Sequence, residues 1–281
     1  MVGYVLPILF FLLMGAVIGL LLTFASKWFY VKTDETVTKL TEALPGANCG
    51  GCGYSGCAGY AEAVAAGEAP PNLCKPGGAD TAAKIGEVLG ISVMAGEKEV
   101  AFVRCNGNCG VTKDKFTYIG TESCAAVERF YNGRGECRAR CHGLGDCASV
   151  CDYNAISVHN GIAVVDAAKC TGCGKCAAVC PNKLIVLVKA SQRYMVRCSS
   201  PDNGKQTRLI CKNGCISCGL CAKKCPAGAI TLDDNHAGID MAKCTGCGVC
   251  ADVCPVKCIA ELPVCTTESD EIPKGETERE S

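Results

Sequence analysis

Three stretches decide the reading: CTGCGKCAAVCP at residues 170–181, CISCGLCAKKCP at 215–226 and CTGCGVCADVCP at 244–255. Each is a C-x2-C-x2-C-x3-C-P run. Three thiolates at three-residue spacing wrap one [4Fe–4S] cube, and the fourth points away along the following turn toward a second cube. The proline removes a backbone donor and stops the segment continuing as before. A degenerate fourth copy, CRARCHGLGDCASVC, carries Cys137, Cys141, Cys147 and Cys151, with Asp152 in the place of the proline. β-Branched strands are expected at Ile185–Val188 and Ile230–Leu232.

Working outward, residues 137–190 and 191–262 read as two tandem two-cluster units of ferredoxin-like α+β fold. The cross-ligation rule assigns Cys137, Cys141, Cys147 and Cys180 to one cube and Cys151, Cys170, Cys173 and Cys176 to a second. It assigns Cys215, Cys218, Cys221 and Cys254 to a third and Cys225, Cys244, Cys247 and Cys250 to a fourth. Adding 74 to a cysteine number in the first unit lands on a cysteine in the second: Cys137 on Cys211, Cys141 on Cys215, Cys147 on Cys221, Cys151 on Cys225, and Cys170 through Cys180 on Cys244 through Cys254. Cys124 lands on Cys198 in the same way. Cys218 maps back onto Leu144, so the first unit lacks one thiol, and the expectation is that Cys137 supplies it while Cys211 is a bystander. The alternative pairs Cys137 with Cys124 and Cys211 with Cys198, leaving a three-cysteine cube.

A further site lies upstream. Cys49, Cys52 and Cys57 sit in NCGGCGYSGC, with Cys74 returning after Pro70-Pro71. Three bunched ligands and one remote ligand suit a [4Fe–4S] cube better than the two separated Cys-x-x-Cys knuckles common in zinc sites. The glycines permit the positive-φ turns this needs and let amides approach sulfur. A helix is expected from Cys57 to Gly67, and Lys75–Gly78 reads as a loop closing over the site. Five cubes thus take 20 cysteines. Seven remain: Cys105, Cys109, Cys124, Cys198, Cys211, Cys258 and Cys265. Either Cys105, Cys109 and Cys124 form a sixth cluster, or most of the seven are buried or free thiols.

The chain is 281 residues long with 27 cysteines, an odd number spread over a long chain, which speaks against a secreted disulfide scaffold. Lys plus Arg and Asp plus Glu are 28 each, so charge offers no argument for nucleic-acid binding. Residues 2–26 carry no charge, enough for a bilayer that needs about 20 apolar residues. No basic residues precede this run and no A-x-A site follows, so it reads as a retained transmembrane helix rather than a signal peptide. Trp28 and Tyr30 fit an interfacial belt, and Lys27 and Lys32 on the C-terminal side place the bulk of the chain in the cytoplasm. Thr33–Leu44, with Val37, Leu40 and Leu44 on one face, reads as a helical spacer. Glu261–Ser281 holds seven acids and two bases and reads as a solvated acidic tail.

The organisation expected is therefore an anchor over 1–32, a small helical [4Fe–4S] domain over 33–90, a cysteine-containing connector over 91–136, ferredoxin-like units over 137–190 and 191–262, and a tail over 263–281. In this arrangement the chain resembles the RnfB family of the Rnf complex across nearly its full length, in the long form with two tandem ferredoxin units. Its first domain is also similar to the iron–sulfur domain of corrinoid iron–sulfur proteins. The resemblance implies a membrane complex that oxidises reduced ferredoxin, reduces NAD and couples the electron flow to Na⁺ or H⁺ transport, with other subunits and ferredoxin as partners. The alternative is a membrane-tethered electron donor to a soluble redox regulator or enzyme.

No catalytic site is expected on this chain. No G-x-G-x-x-G opens a helix after a strand and no G-x4-G-K-[ST] is present, so NAD is expected to bind elsewhere. His142, His159 and His236 form no triad spacing and are expected at the surface. A lone uncharged helix offers no ion path. Lys223 and Lys224, or Arg134, Arg138 and Arg140, are candidates for docking an acidic ferredoxin.

Overall fold

The computed structural model describes residues 2–28, 35–94 and 96–262, and the side chains among these except those of residues 2–8 and 26. Tyr30, Lys32, Cys265 and the expected acidic tail lie outside the described residues.

Helix α1 runs Val2–Trp28. From Leu9 to Phe24 its described side chains are exposed. Among the described residues no helix is long and apolar enough to cross a membrane. Residues 2–26, the expected anchor, all lie in α1, and the side chains of residues 2–8 and 26 are outside those described.

Helix α2 (Glu35–Ala43), α3 (Cys57–Ala65) and α4 (Gly78–Leu89) form the first compact body. Its core joins Leu40, Leu44, Tyr60, Val64 and Ile85. The face of Val37, Leu40 and Leu44 is thus the wall of this domain, which corrects the spacer reading: Leu40 is 0% exposed. Tyr60 ties the returning segment down, donating its hydroxyl to Pro70 O at 2.7 Å and accepting from Leu73 N–H at 3.1 Å. Gly78 opens α4, so only Lys75–Gly77 is loop, and Lys75 ion-pairs with Glu99 of the next body.

That body opens earlier than residue 137. Strand β1 (Glu99–Val103) runs antiparallel to β4 (Ile185–Lys189), pairing Val103 with Ile185. Between them lie helix α5 (Cys124–Glu128), helix α6 (Asp146–Ser149), the hairpin β2 (Ile156–His159) and β3 (Ile162–Val165), and helix α7 (Lys175–Val179). The segment expected as a connector, 91–136, therefore supplies an outer strand and a helix to the first unit. No hydrophobic repeat announced β1, because its partner strand is 82 residues further on.

The second unit repeats the plan. Strand β5 (Tyr194–Val196) pairs with β8 (Ile259–Glu261), Val196 opposite Ile259. They enclose helix α8 (Gly204–Ile210), helix α9 (Leu220–Lys224), the hairpin β6 (Ile230–Asp233) and β7 (His236–Ile239), and helix α10 (Val249–Asp252). Helices α7, α9 and α10 each start after a glycine at φ between 74 and 82°. The left-handed turn there costs a glycine little and swings the ligand loop into the helix. Two small cores, rich in cysteine and short aliphatic side chains, fill the units.

Candidate metal centre

The cysteines gather in fours. Near α3, Cys74 lies beside Cys49, Cys52 and Cys57. The Asn48 side chain accepts the Cys57 N–H at 2.8 Å, fixing the loop to the helix start.

In the first unit, Cys151, Cys170, Cys173 and Cys176 line one cavity of about 350 Å³. Ala155 N–H donates to Cys151 Sγ, and Ala101 N–H to Cys170 Sγ, each at 3.3 Å. The neighbouring cavity, about 370 Å³, is lined by Cys124, Cys141, Cys147 and Cys180. The fourth thiol is thus Cys124, and Cys137 is elsewhere; this corrects the expected set. The reason lies in Asp146. Its carboxylate accepts from Cys124 N–H at 2.9 Å, Ala125 N–H at 3.1 Å and the Ser123 hydroxyl at 3.0 Å, and so pins the start of α5 beside Cys147. Burial raises the Asp146 pKa, but these donors outweigh it and hold the carboxyl below its ordinary range. The repeat-mate of Asp146 is Leu220, so the second unit has no such clamp; it has Cys218 instead.

In the second unit, Cys215, Cys218, Cys221 and Cys254 share a cavity of about 320 Å³. Cys225, Cys244, Cys247 and Cys250 share another of about 320 Å³. Cys258, at 1% exposure, takes the place of Leu184 in the first unit and sits 3.7 Å, sulfur to sulfur, from Cys254. Its thiol hydrogen-bonds Cys254 and holds that thiol down at about 5.

The sixth group is Cys105, Cys137, Cys198 and Cys211, around a cavity of about 330 Å³ between the units. The trio Cys105, Cys109 and Cys124, one of the two readings of the spare cysteines, does not come together. Cys109 is exposed and its N–H bonds Asn160 O at 2.9 Å.

Burial dominates the thiols that face these cavities, pushing Cys147 up to about 12 and Cys137, Cys176 and Cys221 up to about 11. Such thiols stay protonated at neutral pH until a metal displaces the proton. Soft sulfur donors with amide N–H bonds to them fit iron–sulfur cubes. Among the described residues, no three His, Cys, Asp or Glu side chains come close enough to hold a single metal ion. A tetrahedral zinc with Zn–S of about 2.3 Å needs closer sulfurs than a cube does.

Successive sites lie against one another. A Cβ on Gly51 would sit 2.8 Å from Cys173 O, so the Cys49 loop lies on the Cys173 loop. Cys147 and Cys176 share one core, and Cys141 N–H donates to Cys105 Sγ at 3.4 Å.

Two surface expectations change. His142 is 3% exposed, its Nε2 2.7 Å from Glu128 and 3.2 Å from the Asn182 amide. Arg140 is 2% exposed and ion-pairs with Asp114, so it is no docking residue. Arg138, Lys223 and Lys224 are exposed.

Three family models match: an Fe-S cluster family over residues 44–76, a 4Fe-4S binding domain over 162–185 and a 4Fe-4S dicluster domain over 214–258. Among curated proteins, the chain is 42% identical over 231 residues to the RnfB protein of the ion-translocating oxidoreductase complex of Methanosarcina acetivorans, covering 82% of this chain and 88% of the relative. It is 39% identical to the equivalent protein of the Na(+)-translocating ferredoxin:NAD(+) oxidoreductase complex of Acetobacterium woodii, over 88% of this chain and 74% of the relative. It is also 39% identical to the equivalent protein of the proton-translocating ferredoxin:NAD(+) oxidoreductase complex of Clostridium ljungdahlii, over 82% of each.

Proposed function

The chain belongs to the RnfB family of ion-translocating oxidoreductase complexes, and on that premise we propose that it relays electrons from reduced ferredoxin into a membrane complex that reduces NAD and translocates Na⁺ or H⁺. It acts as an oxidoreductase subunit with no complete active site of its own. The observation that supports this reading most is the run of four-cysteine cavities through the two ferredoxin-like units and the seam between them.

Bound [4Fe–4S] cubes supply one-electron transfer, with potentials set by hydrogen bonds, charge and exposure. The chain's residues supply the rest. Cys49, Cys52, Cys57 and Cys74 would hold the cube of the first domain. Cys151, Cys170, Cys173 and Cys176 would hold the next, and Cys124, Cys141, Cys147 and Cys180 the one after. Cys215, Cys218, Cys221 and Cys254, then Cys225, Cys244, Cys247 and Cys250, would complete the second unit. Backbone amides donate to the sulfurs: Leu184 N–H to Cys180 Sγ at 3.4 Å and Ala229 N–H to Cys225 Sγ at 3.3 Å. Val103, Leu184 and Ile185 close the Cys124 cavity with apolar groups, which keeps water from the cube and lowers the reorganisation that electron transfer must overcome.

The uncharged run 2–26, followed by Lys27 and Lys32, supports a single membrane anchor with the soluble part on the cytoplasmic side. The exposed Lys223 and Lys224 at the end of α9 beside Cys225 suit an acidic ferredoxin. Mixing the anaerobic protein with reduced ferredoxin should bleach its visible absorption; protein that stays oxidised refutes the relay.

A further inference from the structure

We propose that Cys105, Cys137, Cys198 and Cys211 hold a sixth [4Fe–4S] cube, on the seam between the two ferredoxin-like units, that carries electrons from one unit to the other.

The four cysteines are two copies of one pair. Val103-Arg104-Cys105 leaves β1 as Val196-Arg197-Cys198 leaves β5. Arg104 N–H bonds Leu184 O at 2.8 Å, and Arg197 N–H bonds Cys258 O at 2.7 Å; Leu184 and Cys258 are themselves repeat-mates. Cys137 and Cys211 are repeat-mates too. Each unit therefore presents the same two thiols to the same cavity. A site built of two equivalent pairs is what a pseudo-twofold seam produces when both halves keep their ligands.

The environment is that of a thiolate cradle. Cys105 Sγ accepts from Gly107 N–H and Cys141 N–H, each at 3.4 Å. Cys137 Sγ accepts from Ala139 N–H, Cys198 Sγ from Ser200 and Cys215 N–H, and Cys211 Sγ from Asn213 and Gly214 N–H. A Cβ on Gly107 would lie 3.6 Å from both Cys105 Sγ and Cys211 Sγ, so a glycine stands where the two sulfurs converge. The cavity, about 330 Å³, falls between the 320 and 370 Å³ of the four ferredoxin-type cavities. Cys105, Cys137 and Cys198 are buried. The seam is also closed by direct bonds, Asn213 Nδ2 to Asn106 O at 3.2 Å and Ser199 Oγ to Arg104 O at 3.3 Å, which fix the two halves of the ligand set.

The position gives the role. Cys141, a ligand candidate of the first unit, donates its N–H to Cys105 Sγ, and Cys215, its repeat-mate, donates to Cys198 Sγ. One peptide separates the seam cube from a cube on either side. A cube held by these four thiols would take one electron from one neighbour and yield one to the other, with no proton or ligand exchanged. This role rests on the relay reading above; the site does not.

The test uses the full-length holoprotein purified anaerobically. Six cubes give about 24 irons per chain and five give about 20. The wild type is expected at about 24. The double variant Cys137→Ala/Cys211→Ala, and Gly107→Val, which keeps every thiol but fills the cradle, should each lose about four irons and one reduced-cluster signal in electron paramagnetic resonance. A wild type at about 20 irons, with or without one bound zinc, overturns the site. So does a double variant with undiminished iron. Where a variant loses more than one cluster, the wild-type count decides. Rapid freezing after mixing with reduced ferredoxin tests the role: in the variants one unit should be reduced while the other stays oxidised. Equal reduction of both units at the wild-type rate overturns the bridge and leaves the site. A wild type with about 24 irons that ferredoxin does not reduce refutes the relay alone.

Discussion

Removing the Cys258 thiol should lower the potential of one cube. In the second unit Cys258 donates its one S–H to Cys254, one of the four thiols at that cavity, across 3.7 Å. In the first unit the same place is Leu184, whose side chain has no donor. A hydrogen bond to a ligand sulfur is worth more when the cube carries its extra electron, because the sulfur is then more negative. A thiol is a weak donor. The single bond therefore favours the reduced state by about 1 kcal/mol, the ordinary net worth of a hydrogen bond. For a one-electron couple, where a tenfold change is about 59 mV, that is about 40 mV. Cys258→Ala should shift one midpoint down by this amount, and Cys258→Ser, which restores a donor, should recover much of it. The assay is a redox titration of the anaerobic protein followed by electron paramagnetic resonance. An unchanged midpoint, or an upward shift, would refute the argument that Cys258 tunes the cube.

Further outcomes follow from the geometry. Cys124→Ala should lose or convert one cluster, whereas Cys109→Ala should keep the iron content unchanged; iron and acid-labile sulfide analysis separates them. Asp146→Ala frees the start of α5, so the cube at Cys124 should release iron to a chelator faster than in the wild type while the other cubes are unaffected, and Asp146→Asn, which keeps an acceptor, should fall between. Arg140→Ala leaves Asp114 without its partner and opens a gap between two cavities. Loss of one partner of a buried pair costs about 3 kcal/mol, and Asp114 being half exposed brings this to about 1–2 kcal/mol, read as a lower denaturation midpoint. Lys223→Glu with Lys224→Glu should slow ferredoxin oxidation and flatten its salt dependence; unchanged kinetics would remove α9 as a docking face.

The ferredoxin-type ligands were legible because their geometry is local. A C-x2-C-x2-C-x3-C run fixes the sulfurs within one turn of chain, whatever lies around it. Cys124 and Cys137 were not legible because the repeat misleads there. The offset of 74 is true for Cys137 and Cys211, but it sets Cys124 opposite Cys198. The structural mate of Cys198 is Cys105, 93 residues earlier, displaced by the extra chain that precedes Cys137 in the first unit. The signal was present as Val-Arg-Cys at 103–105 and at 196–198, and it needed the pairing of β1 with β4 and of β5 with β8 to be weighed. The buried places of His142 and Arg140 had no sequence signal, since each is set by a partner far along the chain, Glu128 and Asp114. The core of the first domain was legible from Leu40 and Leu44 as a helical face, but what that face packs on was not.

The central claim is that electrons cross this chain on their way from ferredoxin to NAD. It is tested most directly by mixing the intact complex with reduced ferredoxin and NAD⁺, freezing at successive times, and following this protein's reduced-cluster signals against NADH. The account predicts that the signals rise before NADH and decay as it forms. NADH formed at the full rate while every cluster of this chain stays oxidised, or in a complex whose copy of it lacks Cys124 and Cys211, would contradict it.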